Sequence, residues 1–296
     1  MMPIPTATLP LAPSNGAAPR PVQAPLVVQS FGATDRGKER SSNEDQFVVA
    51  TLMRALWIEQ SSVPQANVHY GSDRGHVFIV ADGMGGAHAG ERASAVAVGA
   101  VEGFLLNALR WVLALDGSAD ASALNDFKAA LRDADASVYG AAANDPSLRG
   151  MGTTLTLAYG VGSVLFVAHV GDSRCYLLRT GVLHQLTRDD TVVQDLLERG
   201  VVSPSDAAGH SLRHMITNVV GGHAPGVRTE VHRLTLEPGD SVLLCTDGLT
   251  NMLPTVRIQG VLESGLAPEQ ACAELIRLAN EEGGEDNVTV VVARYA

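Results

Sequence analysis

Three short apolar runs, each closed by an aspartate, constrain this chain more than any other feature. They are HVFIVADG (76–83), FVAHVGD (166–172) and SVLLCTDG (241–248). Runs of this length, rich in β-branched residues, read as strands. A single aspartate at a strand end is unremarkable, because Asp-Gly pairs form turns readily. Here the placement repeats at Asp82, Asp172 and Asp247. Asp45 in NEDQFVVA and Asp286 in GGEDNVTVVV sit just ahead of further strands. Carboxylates crowded in this way repel one another unless cations hold them. Hard divalent ions such as Mg2+ and Mn2+ take oxygen ligands, usually a few carboxylates with waters and a backbone carbonyl. The glycine after Asp82 and after Asp247 lets the backbone turn tightly and frees its carbonyl as a ligand.

The rest of the chain supplies more strands: LVVQSFGA (26–33), QFVVAT (46–51), three or four within 153–187 joined at Gly160-Val161-Gly162 and Thr180-Gly181, then 228–236 and 287–295. About ten strands in a meander are expected. Helical patterns occupy 90–115 and 121–143, where Leu124, Phe127, Leu131, Ala134 and Val138 share one face. A third covers 268–282, with Pro268 near its start and Gly283-Gly284 past its end. Blocks of strands followed by blocks of helices indicate an α+β fold with antiparallel sheets. Residues 52–75 read as a polar loop insertion, and 192–214 as a short helical excursion. There is no internal repeat.

Residues 1–25 hold seven of the fourteen prolines. Such a segment buries too little apolar surface to offset its ordering entropy, so a disordered leader is expected before one domain over 26–296. Lys plus Arg number 21 against 32 Asp plus Glu, a formal net charge of −11. Nucleic acid and anionic membrane both repel a chain of this charge. No apolar run reaches the roughly 18 residues of a membrane span, and no basic start precedes an apolar core as in a signal peptide. Cys175, Cys245 and Cys272 are dispersed in apolar stretches and read as buried reduced thiols of a cytoplasmic protein.

Arg40 precedes Asn43-Glu44-Asp45 in DRGKERSSNEDQF. A guanidinium beside a metal cluster clamps a phosphoryl group, since its fork matches two phosphate oxygens. Three other motifs each lack a residue that their chemistry needs. DGMGGAHAG has His88 where a dinucleotide loop needs its last glycine, and Asp82 repels pyrophosphate. His210 and His214 are four apart, but Ser211 stands where a zinc protease needs glutamate. GDSRC lacks the nucleophile-elbow pattern.

Together these segments resemble the metal-dependent protein Ser/Thr phosphatases of type 2C, in their bacterial branch. The resemblance spans about 27–295. It rests on DRGKERSSNEDQF (35–47), VADGMGGAHAGERAS (80–94), MGTTLTLAY (151–159), VGDSRCYLL (170–178), LTRDDT (186–191), CTDGLTN (245–251) and GGEDNVTVVV (283–292), in the family's order. It implies a four-layer αββα sandwich, with two central antiparallel sheets flanked by antiparallel helix pairs. It implies a binuclear Mn2+ or Mg2+ centre, possibly with a third ion, that activates water to hydrolyse phosphoserine and phosphothreonine monoesters. By this resemblance Asp82 bridges two metals and Gly83 offers its carbonyl. Asp247 and Asp286 hold one metal, while Asp45 and Glu44 serve the other, Glu44 through water. Asp172 and Asp247 frame the third site, Arg40 binds the substrate phosphate, and 192–214 forms a flap beside the cleft. Expected partners are phosphorylated proteins and a Ser/Thr kinase with its targets; a monomer is the default.

The chain departs from the family pattern at Ala87 and Asp190, where His is usual, and at Asn251, where an acid is common. Met84 replaces a histidine that animal members use to protonate the leaving group, which leaves that acid unassigned. Two further readings share these residues: a catalytically silent phosphoprotein-binding relative, and a metal-dependent phosphoesterase acting on small molecules or diesters.

Overall fold

Apolar residues at every position of a strand have to be covered on both faces, and this chain places its most apolar strands at the centre of a layered structure. The computed structural model describes residues 26–64, 66–86, 88–107, 120–207 and 209–296. The leader expected over 1–25, and the 108–115 end of the first helical pattern, lie outside the described residues.

In chain order the strands are β1 (Val28–Asp35), β2 (Asp45–Trp57), β3 (Val68–Met84), β4 (Gly152–Thr153), β5 (Leu155–Val161), β6 (Val164–Val170), β7 (Arg174–Arg179), β8 (Val182–Gln185), β9 (Val220–Gly221), β10 (Glu230–Thr235), β11 (Ser241–Cys245) and β12 (Val288–Tyr295). The helices are α1 (Ala89–Asn107), α2 (Asp120–Asn144), α3 (Val192–Glu198), α4 (Pro204–Ala207), α5 (Asp247–Thr250), α6 (Thr255–Glu263) and α7 (Pro268–Glu281). One sheet runs β1-β12-β11-β7-β8. The other runs β10-β6-β5-β3-β4-β9, with β2 also on β3. Every pairing is antiparallel.

Strand alternation sorts the core into three layers. Phe78, Val80, Ala158, Leu165 and Val167 of one sheet face Cys175, Leu177, Val242, Leu244, Val291 and Ala293 of the other. The alternate residues Val77, Ile79, Leu157 and Phe166 pack beneath α1 and α2. Leu243, Cys245, Val290 and Val292 pack beneath α6 and α7. This is the expected helix–sheet–sheet–helix arrangement. In α2 the expected face is buried at Phe127, Leu131, Ala134 and Val138, and Phe127 lies 5.7 Å from Tyr159 and 5.3 Å from Phe166, centroid to centroid. The three cysteines are free and buried.

Two expectations change. Residues 52–75 are no polar loop: β2 and β3 pair through most of that stretch, from Leu52↔Gly75 to Trp57↔Val68, with an irregularity between Met53 and Ala55. The hairpin projects past the sheet, so both faces meet solvent and the apolar-in, polar-out alternation that marks a strand is lost. Leu56, Trp57 and Tyr70 are exposed there. The helix α6 has no clear signal in the sequence, because Val256, Ile258 and Gly260 weaken its intrinsic propensity. Burial of Ile258, Val261 and Leu262 against the sheet holds it instead.

Candidate metal centre and active site

Strand register builds the site. In the β2–β3 pair, Asp45 lies directly opposite Asp82. Like charges in that position destabilise a sheet unless something neutral or cationic intervenes. Asp247 opens the single turn α5 at the end of β11, and Asp286 precedes β12, which pairs with β11. Asp172 sits between β6 and β7. Both sheets therefore deliver carboxylates to one end of the sandwich. Arg40, Glu44, Asp82, Gly83, Asp247 and Asp286 line one cleft of about 840 Å³. Asp172 and Asp247 line a second cavity of about 300 Å³, beneath α3 and α4. The two cavities share a wall of Arg213, His214, Asp247 and Asn251.

Neighbouring side chains fix each carboxylate. Asp45 is buried, and its Oδ2 accepts from Thr289 Oγ1 at 2.7 Å and Thr246 Oγ1 at 2.9 Å. The backbone of Asp82 is clamped by Thr153 and Thr154: its carbonyl accepts from Thr153 Oγ1 at 2.8 Å and Thr154 N at 2.9 Å, and its N–H donates to Thr154 Oγ1 at 2.9 Å. Asn251 Nδ2 donates to Asp247 Oδ2 at 2.9 Å. The acid common at 251 in the family would repel Asp247; asparagine steadies it. Asn287 staples the 36–44 loop, accepting from Glu44 N at 2.8 Å and donating to the carbonyls of Arg36 and Ser42, both at 2.9 Å. Arg40 Nη2 rests on Asp286 Oδ2 at 2.6 Å. Gly83 and Gly90 touch backbone to backbone, and a methyl group on Gly90 would land on Glu44 Oε2.

Crowding and burial raise the proton affinity of these acids. Burial pushes Asp45 up to about 7, against the two threonine donors and with the help of Asp247 and Asp286. Burial, then Asp45 and Asp247, holds Asp82 well above the usual carboxylate range. Asp172 is held up by burial and by Asp247. Burial and Asp286 raise Asp247, and His214 opposes this. Burial also raises Glu44 despite Arg40.

The donor set fits divalent cations. Asp45 Oδ1, Asp172 Oδ1 and Asp247 Oδ1 are buried with no hydrogen-bond partner, although buried carboxylate oxygens are nearly always satisfied. Among the described residues, no three His, Cys, Asp or Glu side chains gather into a ready-made cage for one ion. That pattern suits ions of the Mg2+ type, which keep several waters and use one or two carboxylates each.

Arg40, Glu44, Asp45, Asp82, Gly83, Asp172, Asp247 and Asp286 all come to this end of the molecule. Of those that steady them, Asn251 is marked in the sequence only as a departure from the family pattern, and Thr153, Thr154, Thr246, Thr289 and Asn287 are not marked individually. Their only signal in the sequence is a polar residue adjoining or interrupting an apolar strand, as in DNVTVVV. His210 and His214 lie outside any α-helix, which removes the geometry of a zinc protease pair.

The geometry agrees with the comparisons. The family model described as "Protein phosphatase 2C" matches residues 58–288, and the chain belongs to that family. The Ser/Thr protein phosphatase PstP of Mycobacterium tuberculosis is 35% identical over 270 residues, 90% of this chain and 45% of that protein. The chain thus spans about half the length of this relative. The Ser/Thr phosphatase Stp of Listeria monocytogenes is 33% identical over 259 residues, 88% of this chain and 92% of that protein. A solved structure of the catalytic domain of PstP with two manganese ions superposes with a TM-score of 0.71 at 32% identity, covering 92% of this chain and 99% of that one.

Proposed function

We propose that this chain is a metal-dependent protein Ser/Thr phosphatase that hydrolyses phosphoserine and phosphothreonine monoesters. The observation that carries the reading is the partnerless buried carboxylate oxygens of Asp45, Asp172 and Asp247, of which Asp172 and Asp247 line the smaller cavity and Asp247 shares the larger cleft with Arg40. The manganese ions of the PstP structure support the choice of Mn2+ or Mg2+. Asp82 with the Gly83 carbonyl would serve two ions, Asp247 and Asp286 would help hold one of them, and Asp45 and Glu44 the other, Glu44 through water. Asp172 and Asp247 frame a third site. Bound ions supply water that is acidic enough to act as a nucleophile at neutral pH, and they compensate phosphate charge.

The chain's own residues do the rest. Arg40 turns from Asp286 to the phosphoryl oxygens, where its fork offers two donors to the charge that builds in the transition state. Asp286 is freed by the same movement. The threonines on Asp45 and the asparagine on Asp247 keep their carboxylates oriented, so little reorganisation is needed during reaction. Substrates are phosphorylated proteins, with a Ser/Thr kinase working in the opposite direction, and the protein acts as a cytoplasmic monomer. Among the described residues no helix is long and apolar enough to cross a membrane.

Hydrolysis of a phosphothreonine peptide, measured with Mn2+, with Mg2+ and with chelator, tests the reading, and a phosphodiester serves as the competing substrate. Asp247→Asn is expected to cut peptide turnover by about a hundredfold or more while leaving the fold intact. Parental turnover in that variant, or a preference for the diester, overturns the assignment.

A further inference from the structure

The segment Arg188-Asp189-Asp190 joins β8 to α3 and ties several parts of the molecule together; Asp190 Oδ1 lies 3.6 Å from Arg188 Nη1 and 3.8 Å from Arg228 Nη2. Arg188 reaches outward to α3, with Nη2 on Asp195 Oδ1 at 2.5 Å and Nε on Glu198 Oε1 at 2.6 Å. Asp189 takes both Nε and Nη2 of Arg174, two residues beyond Asp172, at 2.9 and 2.6 Å. Asp190 reaches inward. Its Oδ2 accepts from Gly171 N at 3.1 Å, and its own N–H donates to the Gly171 carbonyl at 2.7 Å. That pair of bonds fixes the residue just before Asp172.

Asp190 also holds the far end of the α3–α4 excursion. Its Oδ2 accepts from Asn218 Nδ2 at 2.7 Å, and its carbonyl accepts from Thr217 N at 2.7 Å. Next to it the excursion is closed by the Thr191↔Ile216 bridge and by Val192 N donating to the Met215 carbonyl at 2.9 Å. Asn218 is tied in turn to Arg228, through its carbonyl at 2.8 Å and its N–H at 3.1 Å. Buried His169 completes the joint: its Nε2 lies 3.0 Å from the Gly171 carbonyl and 3.1 Å from the Arg188 carbonyl. One residue therefore clamps the Asp172 loop and the exit of the excursion together, while the adjoining Arg188 holds its first helix.

We infer that Asp190 is a positioning residue that locks the α3–α4 segment to the Asp172 loop, so that order in that segment sets how tightly the divalent-cation site served by Asp172 is formed. The inference rests on the proposed metal role of Asp172. It goes further by naming what controls that site. Two loops that share one carboxylate clamp cannot shift independently without leaving a charge-assisted acceptor unfilled, which costs more than loss of an ordinary surface contact. Partners that orient a ligand loop typically change metal affinity by ten- to a hundredfold when removed.

The test uses the full chain, Asp190→Ala and Asp190→Asn. Amide exchange is followed without metal, and Mn2+ binding is followed by thermal shift without substrate. Asp190→Ala is expected to speed exchange at both 170–174 and 216–219, and to raise the weakest-site Mn2+ midpoint by about tenfold. Asp190→Asn keeps an acceptor oxygen and is expected to stay within about threefold of the parent. Faster exchange at only one of the two segments overturns the joint. An unchanged Mn2+ midpoint in Asp190→Ala overturns its control of the site. Should Asp190→Ala fail to fold, an Asp190→Asn protein with parental exchange supports the joint, and one with faster exchange at only one segment overturns it. A parent protein with no Mn2+ shift at all sinks the metal reading instead, and the exchange data still decide whether the joint exists.

Discussion

Asp45 and Asp82 face each other across two paired strands, a placement whose repulsion has to be relieved by protonation or by a cation. The same physics explains why Gly90 is glycine. Alanine at position 90 would favour helix by up to about 1 kcal/mol. Its methyl group would also occupy the place of Glu44 Oε2. Glu44 is half-buried and can swing away, but the methyl group would also lie 2.9 Å from the backbone carbonyl carbon of Gly83, so the backbone next to Asp82 has to shift as well. We expect Gly90→Ala to melt below the parental temperature without metal, and to need about tenfold more Mn2+ for half-saturation. A thermal-shift titration measures both, and an unchanged Mn2+ requirement would remove Glu44 from the site. At this scale the acids were legible because charge at the end of an apolar strand is conspicuous. Thr246 and Thr289 were not, because threonine is an ordinary strand former. Only tertiary pairing shows that both hydroxyls converge on one oxygen of Asp45.

Among elements, legibility followed burial. The face of α2 and the ends of α7 could be read directly, because one side is buried and Gly283 and Gly284 adopt positive φ after the last turn of α7. The β2–β3 extension could not. Its pairing is real, but solvent surrounds it, and Leu56, Trp57 and Tyr70 are exposed where a strand of this kind would bury its apolar residues. Exposed apolar side chains on a projecting hairpin favour self-association. Replacing residues 54–73 with Asn-Gly joins the Met53↔Arg74 pair by a two-residue turn suited to the strand twist. The shortened protein is expected to keep its turnover and to stay within a few degrees of the parental melting temperature, with less association in sedimentation at high concentration. Loss of turnover would show that the hairpin supports the site, which lies at the opposite end of β2.

For the molecule as a whole, the acids at the end of the sandwich make stability depend on pH and metal in opposite directions. In the metal-free fold Asp45 is pushed up to about 7, and Asp82 and Asp172 are also raised, first by burial and then by neighbouring acids, Asp45 and Asp247 for Asp82 and Asp247 for Asp172. An unfolded chain releases the same protons near 3.9. Between those values the folded state binds more protons than the unfolded one, so stability falls as pH rises. The contribution is fully present below about pH 4 and is lost as pH climbs through 7. Acids paired with arginine act in the other sense: Arg188 and Gln194 hold Glu198 down at about 2, so its effect falls in strong acid, below this window. Divalent ions bind only the deprotonated carboxylates, so their stabilisation grows over the same interval in which the metal-free fold weakens. Melting temperature measured from pH 5.5 to 8 in chelator is therefore expected to decline. In saturating Mn2+ it is expected to hold or rise, so the gap between the two curves widens with pH. Asp82→Asn removes one of the raised acids and, on the proposed reading, a shared ligand at once, and should flatten both curves toward each other. Parallel curves for the parent would mean that the buried acids do not meet the metal, and that the repulsion built into this end of the fold is relieved by something else.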